Sequence, residues 1–130
     1  MVDARKKILC IEDDHETAAL IAEELVDRGF AVSIAHDGGE GFSAILRESP
    51  DLVLSDVNLP VLSGFDVLER LIELAPRLAA TPFVFLTANS DRDTERKGRK
   101  LGVAEYVTKP IDFDELGALI AARLRCAARA

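Results

Sequence analysis

The stretch Leu52-Val53-Leu54-Ser55-Asp56 is a short apolar run that ends on a carboxylate, and the loop Asn58-Leu59-Pro60 follows it. Three other segments share this layout of a β-forming run followed at once by polar residues: Ile8-Leu9-Cys10-Ile11 before Glu12-Asp13-Asp14, Phe83-Val84-Phe85-Leu86 before Thr87, and Glu105-Tyr106-Val107-Thr108 before Lys109-Pro110. If these strands are parallel neighbours, their ends bring acids, a hydroxyl and an ammonium to one edge of a sheet. Such an edge is a site for a divalent metal and a phosphoryl group.

Strand and helix patterns alternate five times along the 130 residues, and the fifth strand, besides the four quoted above, is predicted at 31–35. The strands are rich in Val, Ile, Leu and Phe and are apolar on both faces, which favours a parallel sheet covered by helices on both sides. The sequence therefore predicts an α/β fold with a doubly wound, five-stranded, flavodoxin-like sheet of (βα)5 type and strand order 2-1-3-4-5.

Capping residues and apolar periodicity predict where the helices lie. The first helix spans about 15–27, and a fourth spans about 94–101 after a polar loop at 89–93. Three pairs with capping spacing open the other helices: Asp37 with Glu40, Ser63 with Asp66, and Asp112 with Glu115. The side chains predicted to face inward from these helices are Ala18, Ile21, Ala22, Leu25, Phe42, Ile45, Leu46, Phe65, Leu68, Leu71, Ile72, Leu116, Leu119, Ile120 and Leu124.

Length and composition predict one globular domain over residues 1–130, with its core over about 6–127. The net charge of −7 and the pI near 4.8 argue against direct nucleic-acid binding. No apolar stretch is long enough to span a membrane, and no secretion signal is present, so a cytoplasmic location is expected. The two cysteines, Cys10 and Cys126, do not indicate a disulfide scaffold, and Cys10 is expected to be buried.

Three acids brought together would force protonation of one of them or demand a cation. Two carboxylates about 4 Å apart repel by roughly 4 kcal/mol at an effective dielectric constant of about 20. Mg²⁺ suits a site with a few carboxylates and phosphate oxygens. A carboxylate can itself attack phosphorus to give an aspartyl phosphate, with Lys109 supplying positive charge and Thr87 a hydroxyl. No GxxxxGK[ST] loop is present, which disfavours nucleotide hydrolysis.

Taken in order, these motifs resemble the receiver domain of two-component response regulators, over nearly the whole chain. The motifs are Glu12-Asp13-Asp14, Asp56 with Pro60 and Gly64, Thr87-Ala88, and Tyr106-Val107-Thr108-Lys109-Pro110. The resemblance implies that Asp56 is the phosphoacceptor and that Thr87 and Lys109 bind the phosphoryl oxygens. It implies a magnesium site formed by Glu12, Asp13, Asp56 and the backbone carbonyl of Asn58, with Mn²⁺ as a substitute. Many relatives have Asp in place of Glu12, whose longer side chain is compatible with coordination through water.

The resemblance also implies partners and a switch. The phosphoryl donor is a phosphohistidine on a sensor histidine kinase or a histidine phosphotransfer protein. The Lys109–Pro110 bond is expected to be cis. Thr87 moves toward the new phosphate and the ring of Tyr106 follows, which remodels the surface of the fourth helix, fifth strand and fifth helix for a downstream protein target. The chain is then a signalling receiver that catalyses only its own phosphorylation and dephosphorylation.

Several alternatives stay open at this point. One alternative is a scaffold that has the same fold but does not use phosphate. Another is a haloacid-dehalogenase-like phosphatase, which is disfavoured because that family has a second Asp two residues after its nucleophile, where this chain has Asn58. Asp14 is expected to cap a helix rather than bind metal. Tyr106 has an alternative role in plain packing with its hydroxyl at the surface, and His15 and His36 have no partner at metal or catalytic spacing. The chain is either a stand-alone regulator or part of a longer protein.

Overall fold

Five short strands form one parallel sheet in a computed structural model of the chain, which describes residues 4–88, 92–102 and 105–128. The strands are β1 (Lys7–Ile11), β2 (Ala31–Ala35), β3 (Leu52–Asp56), β4 (Phe83–Thr87) and β5 (Glu105–Thr108). Their order across the sheet is β2-β1-β3-β4-β5. The predicted doubly wound topology is confirmed. The direction in which successive strands are added reverses between β1 and β3, and sheets of this kind bind ligands at such a switch point.

Five helices connect and cover the strands. They are α1 (His15–Asp27), α2 (Gly38–Glu48), α3 (Gly64–Leu74), α4 (Arg92–Lys100) and α5 (Phe113–Ala128), and a 3₁₀ turn at Leu78–Ala80 follows α3. Side-chain caps fix the starts of α2, α3 and α5, because the first backbone amides of a helix have no partner within it. The Asp37 carboxylate accepts from the Glu40 amide, Ser63 and Asp66 form a reciprocal capping box, and Asp112 accepts from the Glu115 amide.

Two apolar layers cover the two faces of the sheet. Ile8, Leu54 and Leu86 point toward the layer that holds α1 and α5. Leu9, Val53 and Phe85 point toward the opposite layer, which holds α2 and α3. Alternate strand residues thus bury apolar side chains on both faces, which explains why the interiors of β1, β3 and β4 are mostly apolar. None of the helices in the described part of the chain combines the length and apolar character that crossing a bilayer requires.

Some details of the helices differ from the prediction. Leu46 and Ile72 are exposed to 46% and 43% of their surface, so their predicted burial is wrong. Each lies one residue, and thus about 100° of helix rotation, beyond a fully buried neighbour, Ile45 or Leu71. The helix α4 begins at Arg92, so the last two residues of the predicted loop are helical. The rest of that loop, at 89–91, lies outside the described residues.

Candidate functional site

The carboxyl ends of β1, β3, β4 and β5, four neighbouring strands of the sheet, place their polar residues together. The register pairs Ile11 with Ser55, Asp56 with Leu86, and Thr87 with Thr108, so the strands end at nearly the same level. Single carboxylate oxygens of Glu12, Asp13 and Asp56 all lie within 4.8 Å of one another. Residues far apart in the sequence therefore meet at one rim, as the parallel arrangement requires.

Lys109 joins this cluster from the end of β5. Its Nζ lies 2.7 Å from Oε1 of Glu12, and 3.0 and 3.1 Å from the two carboxylate oxygens of Asp56. The ammonium thus donates to both acids and lies across the Asp56 carboxylate. The Lys109–Pro110 peptide bond is cis.

The cluster is buried unevenly. Glu12 is fully buried and Asp56 is 6% exposed, whereas Asp13 is exposed. Burial raises the pKa of Asp56 to about 8, helped by its hydrogen bond with Glu12. Burial also disfavours the Glu12 carboxylate, but hydrogen bonds with Asp56, Lys109 and the Asp14 amide lower the pKa of Glu12 to about 2. The two pKa shifts run in opposite directions, so in the metal-free chain a proton favours Asp56, and Glu12 is the anion that pairs with Lys109.

A cleft of about 200 Å³ opens above Asp56. The residues that line it come from all four strand ends: Asp13, Asp56, Asn58, Leu86, Thr87, Ala88 and Lys109. Thr87 is 7% exposed and Asn58 lies exposed at the mouth. Glu12 is not in the lining, so it acts from beneath the cleft. Of the residues predicted for the site, Glu12, Tyr106 and Pro110 do not line the cleft.

The backbone around Asp56 is held by close packing of the segment that follows it. The Asp56 carbonyl accepts from the Ser55 hydroxyl at 2.8 Å, and the Gly64 amide donates to the Val57 carbonyl at 2.8 Å. A Cβ at Gly64 would lie 2.3 Å from the Asp56 carbonyl oxygen, so α3 can start here only with glycine. In the same loop Val61 has φ +72° and is 79% exposed. A β-branched residue at this φ is strained.

Asp14 caps α1 and does not join the cluster of three carboxylates. Its carboxylate accepts from the Thr17 amide at 3.2 Å and from the Thr17 hydroxyl. Its own amide donates to Oε2 of Glu12 at 3.2 Å, so the start of α1 orients the buried acid. The expected capping role of Asp14 is confirmed.

One contact at this rim has no signal in the sequence. The rings of His15 and His36 stack almost parallel, with centroids 3.7 Å apart, and Nδ1 of His36 lies 3.0 Å from the Glu12 carbonyl oxygen. The start of α1 and the end of β2 meet here, and no spacing signal reveals a contact between residues so far apart. The pair is an aromatic contact beside the acidic cluster.

Tyr106 lies away from the cleft, on the sheet face that also carries Phe85. Their rings stack with centroids 6.1 Å apart, and the register places Tyr106 beside Phe85. Since alternate residues share a face, Thr87 is the next residue on this face of β4. The tyrosine hydroxyl is buried and has no hydrogen-bond partner among the described residues, and burial raises the pKa of Tyr106. The alternative that placed this hydroxyl at the surface is wrong.

Comparison with known proteins identifies relatives of the chain. A family model for the response regulator receiver domain matches residues 8–121. The transcriptional regulatory protein DltR of Streptococcus agalactiae is 41% identical over 119 residues, which are 92% of this chain and 52% of DltR. The transcriptional activator protein IrlR of Burkholderia pseudomallei is 40% identical over 119 residues, which are 92% of this chain and 50% of IrlR. The chain thus spans about half the length of these curated relatives.

The fold has close matches among solved structures. A CheY-like response regulator receiver domain protein from Methanospirillum hungatei superimposes with a TM-score of 0.88 at 26% identity, covering 97% of this chain and 98% of that one. The similarity in structure therefore extends over the whole sheet and the helices on both of its faces.

Proposed function

This chain belongs to the response regulator receiver domain family of two-component signalling, and we propose that its Asp56 accepts a phosphoryl group from a phosphohistidine. The donor is a sensor histidine kinase or a histidine phosphotransfer protein. The observation that carries this proposal is the position of the Asp56 carboxylate, which forms the floor of an open cleft while Lys109 lies across its oxygens.

In the proposed transfer Asp56 first releases its proton to solvent, and one oxygen of the resulting carboxylate attacks the phosphorus atom. The new O–P bond forms as the P–N bond to the donor imidazole breaks, and the electron pair stays on that nitrogen, which takes up a proton. The product is an acyl phosphate on Asp56. Hydrolysis of the acyl phosphate then returns the carboxylate, so the chain is a signalling module that catalyses only its own phosphorylation and dephosphorylation.

The acidic cluster fits Mg²⁺, with Mn²⁺ as a substitute. When all three are ionised, the carboxylates within 4.8 Å of one another carry more negative charge than Lys109 alone can balance. The exposed Asp13 lines the cleft. Asp13, Asp56 and the backbone carbonyl of Asn58 would hold the ion, with Glu12 contributing from beneath. When bound, Mg²⁺ supplies positive charge that neutralises the carboxylates and the phosphoryl oxygens.

Lys109 and Thr87 bind the transferred group. The Lys109 ammonium already donates to Asp56, so it can follow the charge as that carboxylate becomes an acyl phosphate. Transfer of this kind depends on positioning and charge neutralisation more than on acid–base catalysis. Thr87 lines the same cleft and offers a hydroxyl donor to a phosphoryl oxygen.

The output is a change in a protein-binding surface formed by α4, β5 and α5. Thr87 and Tyr106 belong to neighbouring strands and share a sheet face, so a shift of Thr87 toward a phosphate alters the space open to the Tyr106 ring. The downstream partner is a protein, in the cytoplasm, and neither a membrane nor nucleic acid is bound directly. The net charge of −7 supports a protein partner over nucleic acid.

A mass measurement tests the proposal. The protein is incubated with acetyl phosphate and Mg²⁺, and its intact mass is recorded over time. We expect the gain of one phosphoryl group, its loss after removal of the donor, and no gain when EDTA is present or in the Asp56→Asn variant. Absence of labelling in the wild-type protein would refute phosphoryl transfer and favour a scaffold.

A further inference from the structure

The helix α4 has little apolar surface with which to bind the sheet. Its nine residues, Arg-Asp-Thr-Glu-Arg-Lys-Gly-Arg-Lys, include no large apolar side chain. Among residues 93–100, for which burial is described, only Gly98 is buried. The Lys97 ammonium lies 5.7 Å from the centre of the Phe65 ring, which adds a weak contact at the edge of the helix. Gly98 is therefore the one residue of α4 in the range 93–100 that is buried against the rest of the domain.

The group under Gly98 is the hydroxyl of Tyr106. A Cβ built on Gly98 would lie 1.2 Å from the Tyr106 hydroxyl oxygen and 2.6 Å from its Cζ. The optimal separation of two non-bonded carbon atoms is about 3.5–4.0 Å. No residue other than glycine therefore fits at position 98 while the ring lies where it does.

The ring has little freedom to make room. Phe85 stacks on it from the neighbouring strand, and β5 fixes its backbone. An atom of the Phe65 ring lies 3.4 Å from the same Cβ position, so the space beside the hydroxyl is also filled. A methyl group at position 98 would force either rotation of Tyr106 out of this space or displacement of α4.

We propose that Gly98 is a positioning residue that admits the Tyr106 ring beneath α4, so that the place of this ring and the seating of α4 change together. The link to phosphorylation rests on the proposed function, in which Thr87 and Tyr106 respond to a phosphoryl group on Asp56. The contact itself is a property of the unphosphorylated chain.

An ordinary helical glycine behaves in the opposite way. In the interior of a helix, alanine is favoured over glycine because it restricts the unfolded chain and covers the backbone. A Gly98→Ala change at a position without a close neighbour would raise the melting temperature. The overlap with Tyr106 predicts that it lowers the melting temperature, and this difference in sign separates the two explanations.

The chain contains a built-in probe, because Tyr106 is its only tyrosine and it has no tryptophan. Intrinsic emission of the Mg²⁺-free, unphosphorylated protein therefore reports on this ring alone. For Gly98→Ala we expect a roughly twofold or larger rise in the acrylamide quenching constant, since a phenol that leaves its apolar contacts becomes accessible. The tyrosinate absorbance should also titrate at a pH closer to that of a free tyrosine.

Two controls keep the test decisive. Arg96→Ala places alanine at an exposed position of the same helix and should leave quenching unchanged. If Gly98→Ala folds poorly, the test is repeated in Tyr106→Leu, which lacks the overlapping hydroxyl. The double variant should then have a higher melting temperature than Tyr106→Leu alone. The proposal would be overturned if Gly98→Ala raised the melting temperature equally in the wild type and in Tyr106→Leu. It would also be overturned if the quenching constant of Gly98→Ala equalled that of the wild type.

The same samples separate this inference from the proposed function. Labelling of Asp56 by acetyl phosphate is followed by mass, independently of the emission. If labelling fails while the quenching result holds, phosphoryl transfer is refuted and the Gly98–Tyr106 contact stands. If labelling succeeds and Gly98→Ala leaves quenching unchanged, the contact is refuted and phosphoryl transfer stands.

Discussion

The ammonium of Lys109 lies 2.7 Å from Oε1 of Glu12, closer than it lies to either carboxylate oxygen of Asp56. Glu12 is fully buried, outside the cleft wall, and its second oxygen accepts from the Asp14 amide. Since these contacts hold the pKa of Glu12 to about 2, it is an anion at neutral pH. The geometry therefore makes Glu12 the residue that holds Lys109 in place over Asp56.

Replacing Glu12 by Gln should slow phosphoryl transfer. The amide keeps the size of the side chain but loses the charge that orients Lys109, and a hydrogen bond between charged groups contributes roughly 1.5–3 kcal/mol. We expect the rate of labelling by acetyl phosphate at saturating Mg²⁺ to fall by about one order of magnitude. Glu16→Gln, at an exposed position of α1, is the matched control. An unchanged labelling rate in Glu12→Gln would show that Lys109 needs no such support.

Asp56 should make the Mg²⁺-free protein less stable as the pH rises. Its pKa is raised from 3.8 to about 8 on folding, so between these values the folded state holds a proton that the unfolded state has released. The free energy of unfolding then falls with rising pH across this window. Glu12 acts in the opposite direction only below pH 4.5, because its pKa is lowered.

The Asp56→Asn variant isolates this effect, since all other titrating groups are shared with the wild type. In EDTA we expect the variant to be more stable than the wild type at pH 8, by on the order of 2 kcal/mol, with a smaller difference at pH 5. Urea unfolding at the two pH values measures this. A difference that does not grow with pH would mean that Asp56 is ionised in the folded protein at both values.

Most of the fold and the cluster follow from the sequence, because both depend on local signals. An apolar strand that ends on an acid, as at Asp56, predicts a strand end, and parallel packing then brings such ends together. The capping pair Ser63 and Asp66 likewise fixes the start of α3. Contacts set by tertiary packing leave no such local signal. The stacking of His15 on His36 and the burial of the Tyr106 hydroxyl under α4 became visible only in three dimensions.

Asp13 and Asp14 are adjacent acids with different expected effects on metal binding. Asp13 lines the cleft, so Asp13→Asn should weaken Mg²⁺ binding roughly 10- to 100-fold through the loss of a charge at short range. Asp14→Asn should change it little, because Asp14 caps α1 and Asn is an equally good cap. Calorimetric titration with Mg²⁺ compares the two variants. An equal loss of Mg²⁺ affinity in the two variants would place Asp14 at the metal as well.

Val61 carries backbone strain that glycine should relieve. Its φ of +72° disfavours any residue with a Cβ, and its side chain is 79% exposed, so little packing is lost on truncation. Val61→Gly should raise the free energy of unfolding by about 1 kcal/mol. Val61→Ala, which keeps the Cβ, should raise the free energy of unfolding by less. Thermal unfolding distinguishes the two, and a destabilised Val61→Gly would show that the exposed valine makes contacts that outweigh its strain.

Mapping of the phosphorylated residue tests the central claim most directly. After incubation with acetyl phosphate and Mg²⁺, borohydride reduces an aspartyl phosphate to homoserine, which peptide mass spectrometry locates in the sequence. We predict homoserine at position 56 and at no other aspartate. Homoserine at Asp13 or another acid, with position 56 unmodified, would contradict the assignment of Asp56 as the phosphoacceptor.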